Sequence, residues 1–399
     1  MVTKKKRYLY YFIFISLQCV LTFGLSEALV RVISVYNKKI KILSYNPRFH
    51  SDYRNIYSLK DLIEKSINGF KPYQVFAGFK ANSKSFRTKE YSERKQSGNF
   101  RILTIGDSFT SASGGTPYNK HWPFLLEKSL QESSSKKIEL INLGIPGVGP
   151  PFELRLWQLE GSKLNPDLVI LGFCIGNDFL SVSGTRFADS SFIDHSFIVR
   201  IFRNLHRIRK SNREITHLAR NLIDLANQSE IPPGGYEVMG YNYDSDMPTF
   251  SEQIYAETTA YRMEMCRKAN REVFKNLFKK ASSILLEFHE EVTASGSEFL
   301  VLFIPDEYQV DKDVFMKGVK FQGFKSFEFD VNITQQRLIE FCERNSIHYL
   351  DLLPSFQIQG KQKRLYKLRD THWNIAGNEL AAEQLTNLVL ATFVKNNKR

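Results

Sequence analysis

The chain has 399 residues, 42% of them hydrophobic, and a formal net charge of +13, enough for one large or two modest domains around a sizeable core. The basic charge is scattered, with no zinc-finger spacing and no basic helix interleaved with aromatics; this sets nucleic acid aside and leaves anionic surfaces such as phospholipid headgroups or acidic glycans. Its four cysteines, Cys19, Cys174, Cys266 and Cys342, form neither a CxxC motif nor a disulfide framework and do not fix the compartment.

Lys4, Lys5, Lys6 and Arg7 precede an 18-residue run without a charge, Tyr8–Leu25. That is close to the length of a membrane-spanning helix. A cleaved signal peptide and a retained anchor both fit such a run. The apolar core is long and Gly24-Leu25-Ser26 is a weak cleavage site, so residues 1–35 read as a transmembrane signal-anchor. The leading basic cluster, although blunted by Lys38, Lys39 and Lys41, keeps the N-terminus cytoplasmic and sends the following domain outside, to periplasm or extracellular space. Residues 36–99 read as a linker and covering segment, with a helical pattern only near Ser58–Ile67 and an exposed polar stretch at Ser92–Asn99.

From residue 100 the pattern alternates. Ile102–Ile105, Ile138–Leu143 and Leu168–Phe173 are short, β-branched-rich apolar runs, hence strands. Between them, Trp122–Ser133 and Pro150–Glu160 carry helical spacing. Leu180–Ala260 breaks the alternation, includes Pro232-Pro233-Gly234-Gly235, and reads as a helical and loop insertion above the sheet edge. His217 within it fits a helix face better than a catalytic centre. Tyr261–Glu291 predicts one long helix, Phe299–Ile304 a strand, Asn332–Asn345 a helix, Ile347–Leu352 a strand, and Ile375–Phe393 the closing helix. Such alternation predicts an α/β domain over residues 100–395, with a mostly parallel sheet and right-handed crossovers.

Four stretches sit at predicted strand ends or in loops beside them. Gly106-Asp107-Ser108 follows the first strand and would set a serine at the sheet's carboxyl edge; on its own it also fits a turn and a helix N-cap. Asn142–Pro150 (NLGIPGVGP) follows the second strand, and its glycines expose backbone N–H groups, as would any glycine turn. Cys174–Phe179 (CIGNDF) follows the third strand and offers Asn177, either as an amide donor to an oxyanion or as an Asx turn. Ahead of the last helix, RDTHWNIAG places Asp370 and His372 two apart, on one side of an extended segment, where the carboxylate reaches Nδ1 and frees Nε2 to act as a base; the alternative is a helix cap beside a surface histidine. No metal-ligand spacing is present.

The order GDS, glycine loop, Asn-Asp, then Asp-x-His before the final helix resembles the SGNH/GDSL hydrolase superfamily, over about Phe100–Asp178 and Glu298–Leu390. The resemblance implies a flavodoxin-like three-layer α/β/α sandwich and a serine esterase or O-acyltransferase without cofactor or metal. It implies Ser108 as nucleophile, His372 as base and Asp370 as its orienting acid. The oxyanion donors would be the Ser108 and Gly147 N–H groups and the Asn177 amide. Two blocks depart from the pattern: the usual Gly-x-Asn-Asp is here Ile175-Gly176-Asn177-Asp178, and the commonest Asp-x-x-His is Asp370-Thr371-His372. The D-x-H-W form is similar to polysaccharide O-acetylation relatives. The alginate-acetylating branch carries it ahead of its serine, so the chain is not expected to be a close member of that branch. Implied substrates are acyl esters, acetyl above all, of carbohydrate. The alternatives are a lipid esterase of lysophospholipase type and a non-catalytic anchored glycan-binding module on the same fold.

Overall fold

The protein is described by a computed structural model that covers residues 4–36, 73, 75–76, 79–112, 114–182, 196, 198–199, 201–202 and 243–394. It divides into two units: Met1–Asp52 with Thr185–Asn221, and Tyr53–Gly184 with Leu222–Arg399. The Ser58–Ile67 pattern and His217 lie outside the described residues.

In the first unit, α1 runs Lys4–Tyr36. Within it, the 24 residues Tyr10–Ile33 are long and apolar enough to cross a bilayer, a test that a signal sequence near an N-terminus also passes. The helix extends beyond the uncharged run because Glu27 and Arg31 pair one turn apart at 2.9 Å, which keeps the helix intact where charge begins.

The second unit is built on five parallel strands: β1 (Asn99–Gly106), β2 (Lys137–Asn142), β3 (Leu168–Cys174), β4 (Glu298–Ile304) and β5 (His348–Asp351). Their spatial order is β2-β1-β3-β4-β5, the doubly wound order whose switch point lies beside β1. Alternate residues feed two apolar layers. Leu103, Ile105, Val169, Leu171 and Phe173 pack with α4 (Pro150–Leu159), α7 (Arg271–Ala294) and α10 (Ile333–Arg344). Ile102, Leu168, Ile170, Leu300 and Leu302 pack with α3 (Trp122–Ser133) and α12 (Ile375–Val389) on the other face. Because β1, β3 and β4 are buried on both faces, they read in sequence as continuous apolar runs rather than as alternating ones.

The expected single helix over Tyr261–Glu291 is broken. It becomes α6 (Glu252–Arg262), two 3-10 turns over Met263–Cys266 and Lys268–Asn270, and then α7. The Cys266 carbonyl is drawn into a bond from the Asp330 N–H at 2.8 Å, and Arg267 bridges Phe329, which pulls the backbone off the helical path. The β4 to β5 crossover also carries α8 (Glu307–Val310) and α9 (Lys312–Gln322), and α11 (Leu353–Gln359) follows β5. The closing helix ends at Val389 and finishes in a π turn over Leu390–Val394.

Candidate active site

At the end of β1, Asp107 caps the one-turn helix α2 (Ser108–Ser111), its Oδ1 accepting from the Phe109 N–H at 2.9 Å. Ser108 therefore opens a helix at the carboxyl edge of the sheet. Two donors fix α2 from below: Trp122 Nε1 and His121 Nε2 both donate to the Phe109 carbonyl, at 3.0 and 2.8 Å. The helix ends in Ala112, a non-glycine residue held left-handed at φ 57°. The fully buried Arg87 guanidinium secures that bend by donating to the Ala112 and Thr116 carbonyls at 2.6 and 3.1 Å.

At the end of β2, Asn142 stitches the glycine loop to α2. Its Oδ1 accepts from Thr104 Oγ1 and the Gly144 N–H at 3.1 and 2.9 Å, and its Nδ2 donates to the Thr110 carbonyl at 2.7 Å. Gly144 must lack a side chain, since a Cβ there would lie 2.5 Å from the Ser111 nitrogen. Gly147 stands exposed in the following turn at φ +71°, and its N–H has no acceptor among the described residues.

At the end of β3, Asn177 Nδ2 donates to Asp107 Oδ2 at 2.8 Å, leaving its second amide proton for another acceptor, while its buried Oδ1 has no partner. Asn177 precedes the one-turn helix α5 (Asp178–Ser181). The sequence departure at Ile175-Gly176 has a physical reason. The space beside Gly176 holds the buried Arg262–Asp306 ion pair, and a Cβ at 176 would collide with the Asp306 carboxylate.

Asp370 and His372 lie in a loop. His372 Nδ1 donates to Asp370 Oδ1 at 2.6 Å, and the His372 backbone N–H donates to the same oxygen at 3.0 Å, so the ring is held with Nε2 as its acceptor. Asp370 Oδ2 accepts from Thr249 Oγ1 at 2.5 Å and Lys367 Nζ at 3.2 Å. Arg369, just before it, is held left-handed at φ 47°. Burial works against the Asp370 charge, yet the facing imidazole and Lys367 ammonium, with the hydrogen bonds, hold its carboxyl below the usual carboxylate range.

Ser108 and His372 line one small pocket with Thr116, His121 and Trp373. Gly147 and Asn177 are not among its lining residues. Burial, aided by the Arg87 charge, lowers His121 to about 3, so this second histidine stays neutral. Behind Asn177, burial and then the Asp107 charge push Asp178 well up. Glu153, buried and with both oxygens unpartnered, is pushed up by burial and by the charges of Asp178 and Asp107. Among the described residues no group of three or more His, Cys, Asp or Glu is placed to hold a metal ion.

Sequence reasoning did not find Thr249, Lys367 or His121, and gave Asp107 no role. Asp107, as part of GDS, carried a signal, and Lys367 lies three residues before Asp370; Thr249 and His121 come from positions that no local spacing ties to the motifs.

Residues 262–399 match the family described as SGNH hydrolase-like domain, acetyltransferase AlgX. The match includes Asp370 and His372 and stops short of Ser108. Several solved structures are similar. An acetyl xylan esterase, AlAXEase, is 15% identical, with 72% of this chain and 99% of that one covered at a TM-score of 0.37. Axe2, an acetylxylan esterase from Geobacillus stearothermophilus, is 11% identical, with 72% and 92% covered at 0.36. The lipase/acylhydrolase from Enterococcus faecalis is 12% identical, with 73% and 95% covered at 0.36. No curated protein matches the chain.

Proposed function

We propose that the chain is an SGNH-type hydrolase that cleaves or transfers acyl esters through Ser108, His372 and Asp370, a reading supported by the match of residues 262–399 to the SGNH hydrolase-like family. The observation that carries this reading is the 2.6 Å Asp370–His372 pair, whose ring lines the same pocket as Ser108. Serine is a weak nucleophile at neutral pH and needs an adjacent base. His372 Nε2 takes the Ser108 proton as Oγ bonds to the ester carbonyl carbon, and the carbonyl π pair moves onto oxygen. The Ser108 and Gly147 N–H groups and the free proton of the Asn177 amide receive that oxyanion, each donor lowering the barrier by about 2.7–4 kcal/mol. Collapse breaks the bond to the alcohol oxygen, which leaves with the proton from His372. Water or a sugar hydroxyl then attacks the acyl-serine with the same base.

An acetyl ester of carbohydrate is the substrate class favoured by the family described as an acetyltransferase and by the small size of the pocket. α1 would tether the domain to the outer side of the cytoplasmic membrane. The second reading, a lipid esterase, draws on that apolar helix and on the +13 charge. Hydrolysis of p-nitrophenyl acetate by wild type and by Ser108→Ala tests the chemistry, with turnover expected only in wild type. Turnover in the variant would remove Ser108 from the reaction. Acetate release from acetylated glycan against fatty-acid release from lysophospholipid separates the two substrate readings.

A further inference from the structure

Lys367 belongs to none of the sequence blocks, yet it joins both halves of the site. Its side chain is only 13% exposed. The ammonium lies 3.2 Å from Asp370 Oδ2 and donates to the Gly114 carbonyl at 2.5 Å. Gly114 lies in the segment after the serine helix and against the base: a Cβ there would sit 2.5 Å from His372 Cβ. One cation thus touches the acid of the base pair and the backbone that leads from the nucleophile.

We propose that Lys367 is a positioning residue that shares the Asp370 charge with His372 and holds that pair against the serine loop. The inference rests on the catalytic reading above. A carboxylate that faces only an imidazole stabilises the imidazolium with its full charge, and the ring then stays protonated, and useless as a base, to higher pH. An ammonium on the second carboxylate oxygen takes up part of that charge. Thr249 adds a hydroxyl donor to the same oxygen but no charge, so the electrostatic part falls to Lys367. Glu307 and His121 lie nearby. Glu307 on α8, hydrogen-bonded by Tyr255, is pushed up to about 8 by burial. His121 is held neutral at about 3 and shares the pocket. Neither supplies a cation that could replace Lys367.

The test is the pH profile of kcat/KM for p-nitrophenyl acetate, measured on the full chain over roughly pH 5 to 9. In Lys367→Met the acid limb is expected to move up by about one pH unit, as for loss of a neighbouring charge, while Lys367→Arg keeps the wild-type limb. Lys367→Gln, which can still donate to Gly114, is read in the same way should the Met variant melt below assay temperature. A uniform loss of activity with an unmoved limb in Met and Gln overturns the inference and leaves Lys367 a structural brace. Wild-type turnover that does not depend on Ser108 overturns the catalytic reading itself, and this one with it.

Discussion

The two halves of the candidate site are held by different means. Ser108, the glycine loop and Asn177 follow β1, β2 and β3, three neighbouring parallel strands in fixed register. Asp370 and His372 follow no strand. Their loop is strapped by residues 245–250, through Leu368 N–H to Ser245 O at 3.0 Å, Thr249 N–H to Leu368 O at 3.2 Å and Phe250 N–H to Arg369 O at 3.0 Å. The nucleophile half is thus placed by backbone pairing deep in the core. The base half is placed by side-chain charge and by the backbone strap of residues 245–250. The first should respond to steric change, and the second to charge and pH.

The largest expected effect removes the chemistry from either half. Ser108→Ala or His372→Ala should each lower kcat by roughly 10⁴–10⁶-fold, and Asp370→Asn by clearly less, because orienting a base matters less than having one. Equal and negligible losses in Asp370→Asn and His372→Ala would dissolve the base half altogether. Next comes Asn177→Ala, expected to cost about 10²–10³-fold in kcat with KM little changed, the signature of a donor used in the transition state. A rise in KM alone would make Asn177 a binding residue.

Two smaller effects probe the packing of the nucleophile half. Gly176→Ala drives a methyl into the Asp306 carboxylate and should destabilise the fold by about 1–3 kcal/mol in chemical denaturation; an unchanged midpoint would show that the Arg262–Asp306 pair yields freely. Glu153→Gln should stabilise the protein near neutral pH. A carboxyl whose folded pKa is raised contributes most stability below its unfolded pKa, and that contribution is lost as pH rises towards the folded value. The gain should shrink in mild acid, and a gain that is constant with pH would contradict the burial argument.

Much of the sheet was legible because β1, β3 and β4 are buried on both faces and so leave short apolar runs, and α3 was legible because Trp122, Leu126 and Leu130 keep one helical face. The Asp370–His372 pair was legible because two-residue spacing in extended chain is local geometry. The break after α6 was not, because the Asp330 N–H that captures the Cys266 carbonyl comes from far along the chain. Thr249 stayed hidden for the same reason. Thr249 lies 121 residues from Asp370, and nothing near Lys367 in sequence shows that its ammonium also meets Gly114.

The joining of the two halves at one hydroxyl is tested most directly by a fluorophosphonate probe, with the adduct located by peptide mass spectrometry on the folded, full-length chain. The expected result is a single adduct on Ser108, lost on unfolding and in His372→Ala. A folded wild type without an adduct, or with the adduct on another residue, would contradict the account.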